Sequence, residues 1–233
     1  MDYGNLISRA FGYTKEALWG EWGRWLLLVL LSLVQTFTLF LVPLYNGYIV
    51  YIVRVLAGRR PAPEVDDWGR LFLDGWKLNI INLIYLIPVI VALAVFGGVA
   101  VLSAVAARGL DNPDVWASAV AAAVTGIAIA ALVWIVISFV SLLAVVRFAH
   151  TGSLLQAFNI TAILSQISWI GWGAWIAAVV ILILIGLVYT AATALITSLP
   201  VLGWIANLFI GVVYGIFRAR YLAVAYESAP APG

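Results

Sequence analysis

The sequence predicts an all-α, polytopic integral membrane protein with six membrane-embedded helices in three hairpins and three short interfacial amphipathic helices. Apolar residues make up 65% of the 233-residue chain and charged residues only 9%, whereas an average soluble domain is about half apolar and about a quarter charged. A water-soluble monomer of this size could not bury so much apolar surface. The composition therefore excludes a soluble enzyme, a nucleic-acid-binding protein and a disordered scaffold.

Long uncharged runs predict the membrane segments, since a helix needs about 20 apolar residues to cross the hydrocarbon. Residues 25–53, 78–107 and 115–146 carry no charge, and 148–217 contain only His150. The first run could form one tilted helix or a hairpin broken at Pro43 to Gly47, because proline removes a helix hydrogen bond and Asn-Gly accepts a tight turn. We expect no cleaved signal peptide, because the preceding segment is long and contains acidic residues.

The positions of the Lys and Arg residues favour the hairpin, because these residues accumulate in cytoplasmic loops. A single helix would leave four of them on one side and eight on the other, whereas the hairpin places eleven of the twelve on one side and leaves only Arg108 opposite. We therefore predict a protein of the cell membrane with both termini cytoplasmic. The predicted segments are about 23–42, 44–57, 78–107, 115–146, 169–197 and 201–217.

These segments predict a single membrane domain over 1–227, with hairpins at about 23–57, 78–146 and 169–217, followed by a flexible tail at 228–233. Segment 44–57 would be only about 21 Å long at 1.5 Å per residue. The sequence leaves open whether that segment crosses the membrane fully.

Amphipathic stretches precede each hairpin, at 5–18, 67–77 and 153–166. Such helices lie in the membrane interface, and Ser153 with Gln156 resembles a capping box for the last of them. The order of one interfacial helix followed by one hairpin occurs three times. It predicts a threefold internal repeat, with coincidence as the alternative.

A mixed group of charged and aromatic residues near the cytoplasmic ends provides candidate contacts to lipid or to a protein partner. Its carboxylates could bind a cation, but the interleaved Arg and Lys residues favour mutual ion pairing on a solvated face. The candidates are Arg59, Arg60, Asp66, Asp67, Trp68, Arg70, Asp74, Lys77, Arg147 and His150.

Uncharged polar residues within the segments provide the candidates for a transport pathway. Ionisable residues at mid-membrane, which usually mark ion or proton coupling, are absent from the predicted spans. Polar side chains could line a cavity, although they more often hydrogen-bond between helices. The candidate cavity-lining residues are Gln35, Asn46, Asn79, Asn82 and Asn207.

The inventory of reactive residues argues against an enzyme. The chain has no cysteine and one histidine, and it contains no zinc-binding, nucleophile-elbow or phosphate-loop motif. We predict that the protein is not an enzyme and has no cofactor or metal.

Several stretches carry a family resemblance, above all Asp66 to Lys77 with the sequence DDWGRLFLDGWK. Others are the region from Pro43 to Leu56, Arg147 to Phe158, Leu199 to Gly203 and Ala219 to Glu227. Together they resemble a prokaryotic, largely archaeal family of polytopic membrane proteins of unknown function. That family is distantly similar to the membrane domain of some glycerophosphodiester phosphodiesterases. The resemblance implies no established activity, and the hydrolytic activity of the phosphodiesterase catalytic domain is not expected here.

Residues and resemblance together predict a non-enzymatic integral membrane protein that acts through contacts with lipids or protein partners, as a complex subunit or in assembly. The alternative is a permease for a small solute or a lipid, with a polar cavity at mid-membrane. The expected partners are membrane lipids and possible members of a membrane complex or a homo-oligomer, with no nucleic acid.

Overall fold

The computed structural model describes residues 1–55, 61–106, 113–199 and 201–229. These residues form helices joined by short connections, and no strand occurs among them. The α-helices are α1 Tyr3–Leu18, α2 Trp22–Phe37, α3 Leu44–Arg54, α4 Trp68–Leu93, α5 Val99–Ala106, α6 Pro113–Thr151, α7 Ile160–Ile170, α8 Trp172–Thr197 and α9 Leu202–Glu227. A π-helical turn at Ala94–Gly98 joins α4 to α5, and a 3-10 turn at Leu154–Phe158 lies between α6 and α7.

Side chains and proline positions explain where several helices begin. Asp2 accepts a hydrogen bond from the Asn5 backbone N–H at 3.0 Å, and Asp67 does the same for the Arg70 N–H at 3.0 Å. These contacts satisfy backbone donors that have no partner in the first helical turn. Pro113 starts α6, where its missing N–H costs nothing.

Four helices are long and apolar enough to cross a membrane, namely those covering Trp68–Gly98, Asp114–Thr151, Trp172–Thr197 and Leu202–Glu227. A fifth span is added if α1 and α2, which meet at a bend of 100°, are counted as one broken span. The expected all-α fold with several membrane-crossing helices is therefore confirmed. The prediction of six is not, because α2 has only 16 residues and α3 only 11.

Two of the three predicted interfacial helices differ in the structure. Residues 67–77 are not a separate helix but the first turns of α4, which continues to Leu93 because nothing between Lys77 and Leu78 interrupts the helix. The predicted element of 153–166 is split at Asn159, whose side chain caps α7 by accepting the Ala162 N–H at 3.0 Å. The stretch predicted at 5–18 lies in a separate helix, α1, which begins two residues earlier, at Tyr3. The threefold repeat loses its second interfacial element.

The prediction of a capping box at Ser153 was wrong. Its side chain makes no capping hydrogen bond, and the Gln156 side chain is engaged elsewhere, since its Oε1 accepts hydrogen bonds from Arg147 at 2.9 and 3.2 Å.

The first of two compact units comprises Met1–Ile80 with Leu142–Gly233. Helix α9 is its centre, packed against α1, α2, α3 and α8. Its most apolar stretch is 56% buried, against 11% for that of α8. The exposed apolar surface of α8 is that of a helix facing lipid.

The second unit comprises Ile81–Ser141. Here Gly97 in the π-helical turn lies against Gly126 of α6, so closely that a Cβ atom on Gly126 would overlap the Gly97 backbone. Large apolar side chains such as Leu83, Ile90 and Ile127 are exposed on this unit. This surface too suits a hydrocarbon environment. Residues 107–112 and 230–233, which include the predicted Arg108 loop and most of the predicted tail, lie outside the described residues.

Candidate functional site

Arg54 and Asp74 form an ion pair at the end of α3. The Arg54 Nη1 donates to the Asp74 Oδ2 at 2.7 Å, and the Arg54 Nε donates to the Ala149 carbonyl oxygen at 2.8 Å. Asp74 is 5% exposed. Because the guanidinium contacts both α4 and α6, one side chain ties the ends of three helices together.

Two further cations surround the same carboxylate. The Arg70 Nε and the Lys77 Nζ each lie 3.8 Å from an Asp74 oxygen, one helical turn away on α4. The guanidinium of Arg70 also lies over the Tyr51 ring, 5.3 Å from its centroid. The side chains of Arg70 and Lys77 are 47% and 38% exposed, so both keep hydrogen-bonding capacity for a ligand.

A cavity of about 530 Å³ opens between these charges and the end of α6. We call it the basic pocket. Its three cations and one carboxylate leave a net charge of +2 when the histidine is neutral, which suits an anionic ligand. It is lined by Arg54, Arg70, Leu73, Asp74, Lys77, His150, Thr151 and Gly152.

His150 closes the pocket on the side of α6 and α9. Its Nδ1 lies 2.9 Å from the Val146 carbonyl oxygen, and its Nε2 lies 3.9 Å from a Glu227 carboxylate oxygen. The imidazole stacks on Tyr226 with ring centroids 4.9 Å apart. Gly152 has a φ of +69°, a conformation that glycine adopts without strain, and it ends α6 beside the pocket.

A family model described as a protein of unknown function (DUF4013) matches residues 30–198. The chain belongs to the DUF4013 family. The match covers the basic pocket completely, and it agrees with the predicted membership of a family of unknown function. The finer resemblance to glycerophosphodiester phosphodiesterase membrane domains stays a prediction. Neither the curated proteins nor the solved structures contain a significant match to the chain.

In the structure of this DUF4013 member, some of the predicted contact residues lie in the basic pocket and others lie outside it. Arg70, Asp74, Lys77 and His150 come together in the basic pocket. Asp66, Asp67 and Trp68 are exposed at the start of α4, and Arg147 binds Gln156 instead. Arg59 and Arg60 lie outside the described residues.

The DDWGRLFLDGWK stretch acquires a physical explanation in this DUF4013 structure. Asp67 caps α4, and Leu71 is 1% exposed in the core. Asp74 holds the ion pairs described above, although it is buried and not on the solvated face that the sequence suggested. Gly75 lies so close to Pro43 that a Cβ atom would overlap the Pro43 carbonyl oxygen.

Three of the predicted cavity-lining amides bind one another. The Gln35 Nε2 donates to the Asn46 Oδ1 at 3.1 Å, and the Asn46 Nδ2 donates to the Asn79 Oδ1 at 2.8 Å. The Asn79 amide then donates to the Phe40 carbonyl oxygen at 3.0 Å. This amide chain joins α2, α3 and α4 and is an example of polar side chains that hydrogen-bond between helices.

The other two predicted cavity residues lie apart from this amide chain. Asn207 of α9 donates to the Thr197 Oγ1 at 2.6 Å and the Thr193 carbonyl at 3.2 Å, both on α8. Asn82 is exposed. The five residues of the permease alternative therefore do not converge on one site within the described structure.

Arg54 and Arg220 take structural positions that the sequence did not reveal. Arg220 is 3% exposed on α9, donates to the Val55 carbonyl at 2.7 Å, and lies over the Tyr13 ring at 4.2 Å. Burial raises the pKa of the Tyr13 phenol, and the positive charges of Arg220 and Arg24 partly oppose that rise. The Tyr13 ring thus offers an aromatic face to the guanidinium.

No group of three or more His, Cys, Asp or Glu side chains is placed to hold a metal ion within the described ranges.

Proposed function

We propose that this protein is a non-enzymatic integral membrane protein of the cell membrane that binds anionic phospholipid, with the headgroup phosphate held in the basic pocket. The observation that supports this proposal most directly is the cavity of net positive charge that Arg54, Arg70 and Lys77 form around Asp74. Phosphate oxygens accept hydrogen bonds from guanidinium and ammonium groups, which are strongest when both partners are charged.

The place of the basic pocket along its helices supports a headgroup ligand. Lys77 is the last charged residue of α4 before the uncharged run of 78–107, and Arg147 is the first after the uncharged run of 115–146. The pocket thus lies where the apolar stretches of α4 and α6 both end. That is the level of the membrane at which lipid phosphates are found.

The distribution of charge favours the cytoplasmic leaflet. Eleven of the twelve Lys and Arg residues belong to the predicted cytoplasmic side. That leaflet carries anionic lipids, which attract basic residues near the surface with about 1 kcal/mol each. The expected protein partners, which are a membrane complex or a second copy of the chain, stay a prediction.

The test measures binding of short-chain phosphatidylglycerol and phosphatidylcholine to the full chain in a neutral detergent. Arg70 and Lys77 are the residues to change, because their side chains are more exposed than that of Arg54. The double variant R70Q/K77Q removes two pocket charges. The matched control K15Q/R218Q removes two exposed charges outside the pocket.

We expect the unmodified protein to bind phosphatidylglycerol at least about tenfold more tightly than phosphatidylcholine. R70Q/K77Q should lose about 2 kcal/mol, or about thirtyfold in affinity, while K15Q/R218Q changes it by less than about threefold. Equal affinity for the two lipids, or equal losses in the two variants, would refute the proposal. Inorganic phosphate binding as tightly as the lipid would show that the ligand is a soluble phosphate compound.

A further inference from the structure

The imidazole of His150 is placed so that its charge state matters to the basic pocket. A carbonyl oxygen only accepts hydrogen bonds, so the 2.9 Å contact to Val146 puts a hydrogen on Nδ1. In the neutral ring the remaining nitrogen, Nε2, then carries a lone pair. This atom is buried without a hydrogen-bond partner and lies 3.9 Å from the Glu227 carboxylate.

A lone pair that faces a carboxylate is electrostatically unfavourable. A proton on Nε2 turns this repulsion into an attraction. The imidazolium would pair with Glu227 and so join the end of α6 to the end of α9. It also lies at the C-terminal end of α6, where the helix dipole favours a cation. In the protonated ring, Nδ1 keeps its hydrogen bond to Val146 and Nε2 faces the Glu227 carboxylate at ion-pair distance.

The cations of the basic pocket act in the opposite direction. Positive charges on the same cavity disfavour a further positive charge on the ring. A bound phosphate would neutralise them and remove that penalty. The charged and titratable groups facing His150 are Glu227 and Tyr226 of α9, Arg54 of α3, and Arg70, Asp74 and Lys77 of α4. On its own helix, Arg147 precedes it by three residues and binds Gln156.

We propose that protonation of His150 adds a positive charge beside the basic pocket, so that a proton and an anionic phosphate group bind cooperatively. The proposal rests on the proposed lipid-binding function and adds a regulatory residue to it. Protonated His150 supplies a fourth positive charge to the cavity. By thermodynamic linkage, the phosphate favours the proton as much as the proton favours the phosphate.

The first test compares the affinity for short-chain phosphatidylglycerol at about pH 5.5 and about pH 8, a range in which imidazole is the side chain that normally changes charge. The phosphodiester of this lipid keeps one negative charge throughout, so the ligand itself does not titrate. We expect the unmodified protein to bind about five- to tenfold more tightly at the lower pH. H150Q should show less than about twofold dependence, and the control R218Q should behave like the unmodified protein.

The second test observes the imidazole directly and needs no substitution. The chain contains one histidine, so a preparation with a histidine-free tag gives a single imidazole signal in NMR. We expect this signal to titrate at higher pH with phosphatidylglycerol present than with phosphatidylcholine. In E227Q, which removes the facing carboxylate, it should titrate at lower pH than in the unmodified protein.

The outcomes separate the two proposals. If phosphatidylglycerol binds at neither pH, the proposed function fails. If it binds with the same affinity at both, or if H150Q keeps the full pH dependence, lipid binding stands and the role of His150 is refuted. An imidazole titration that does not respond to the anionic lipid also refutes it.

Discussion

The Arg54 guanidinium lies 2.7 Å from the Asp74 carboxylate and connects the end of α3 to α4. Twenty residues separate the two positions in the chain, and both side chains are largely buried, at 18% and 7% exposure. The same guanidinium donates a hydrogen bond to the Ala149 carbonyl oxygen at the end of α6. This relationship fixes the basic pocket, because the other two cations are arranged around the same aspartate.

Replacing Asp74 by Asn should destabilise the protein, because it leaves Arg54 without its counter-charge in a buried position. We expect the free energy of unfolding to fall by about 2 kcal/mol, measured by denaturation in mixed detergent micelles. The control D66N removes a carboxylate that is exposed. An equal loss in both variants would show that the ion pair has no special part in stability.

Two glycines should be intolerant of a methyl group, because α3 and α4 approach through them. A Cβ atom on Gly47 would overlap the Leu71 carbonyl oxygen, and one on Gly75 would overlap the Pro43 carbonyl oxygen. We expect G47A and G75A each to lower the free energy of unfolding by about 2–3 kcal/mol.

The control for these two variants is G12A in α1, where nothing lies within 4 Å of the added Cβ atom. Alanine favours a helix over glycine by about 1 kcal/mol, so G12A should be neutral or stabilising. If G47A and G75A behave like G12A in the same denaturation assay, the close packing of α3 on α4 is wrong.

The amide chain predicts that Asn46 matters for stability. Leucine at this position keeps the number of side-chain heavy atoms but leaves Gln35, which is 5% exposed, and Asn79 without their amide partner. We expect N46L to cost about 1–2 kcal/mol and N82L, at an exposed position, less than about 0.5 kcal/mol. Thermal unfolding followed by tryptophan fluorescence measures both, and a harmless N46L would contradict the amide chain.

The orientation in the membrane can be tested with single cysteines, since the native chain has none. Asn5 and Ser228 are exposed near the two termini, while Leu41 and Ser198 are exposed in the connections after α2 and α8. We expect a membrane-impermeant maleimide to label L41C and S198C in intact cells, and N5C and S228C only after permeabilisation. The reverse pattern would place the basic pocket on the outer side.

Composition and hydropathy were sufficient for the helical class and for the position of most helices, because uncharged runs must be helical in lipid. They did not show that α4 continues through Lys77. The sequence changes from charged to apolar residues at this point, and that change is compatible both with one long helix and with two separate helices. The break at Asn159 was missed because apolar residues continue on both sides of it.

The candidate site was predicted in part, because charge grouping indicates which residues share a surface but not which pairs form. Arg70, Asp74 and Lys77 follow each other at helical spacing and could be recognised together. Arg54 could not, because its pairing with Asp74 depends on how α3 packs on α4. The close contacts of Gly47 and Gly75 depend on the same packing and were equally invisible.

Native mass spectrometry of the protein purified from membranes that contain several phospholipids tests the central claim most directly. The account predicts that one phosphatidylglycerol stays bound to the unmodified protein and to K15Q/R218Q after mild delipidation, and that R70Q/K77Q retains none. Retention of zwitterionic lipid in equal amount, or of the same phosphatidylglycerol by R70Q/K77Q, would contradict the assignment of the basic pocket as a phospholipid site.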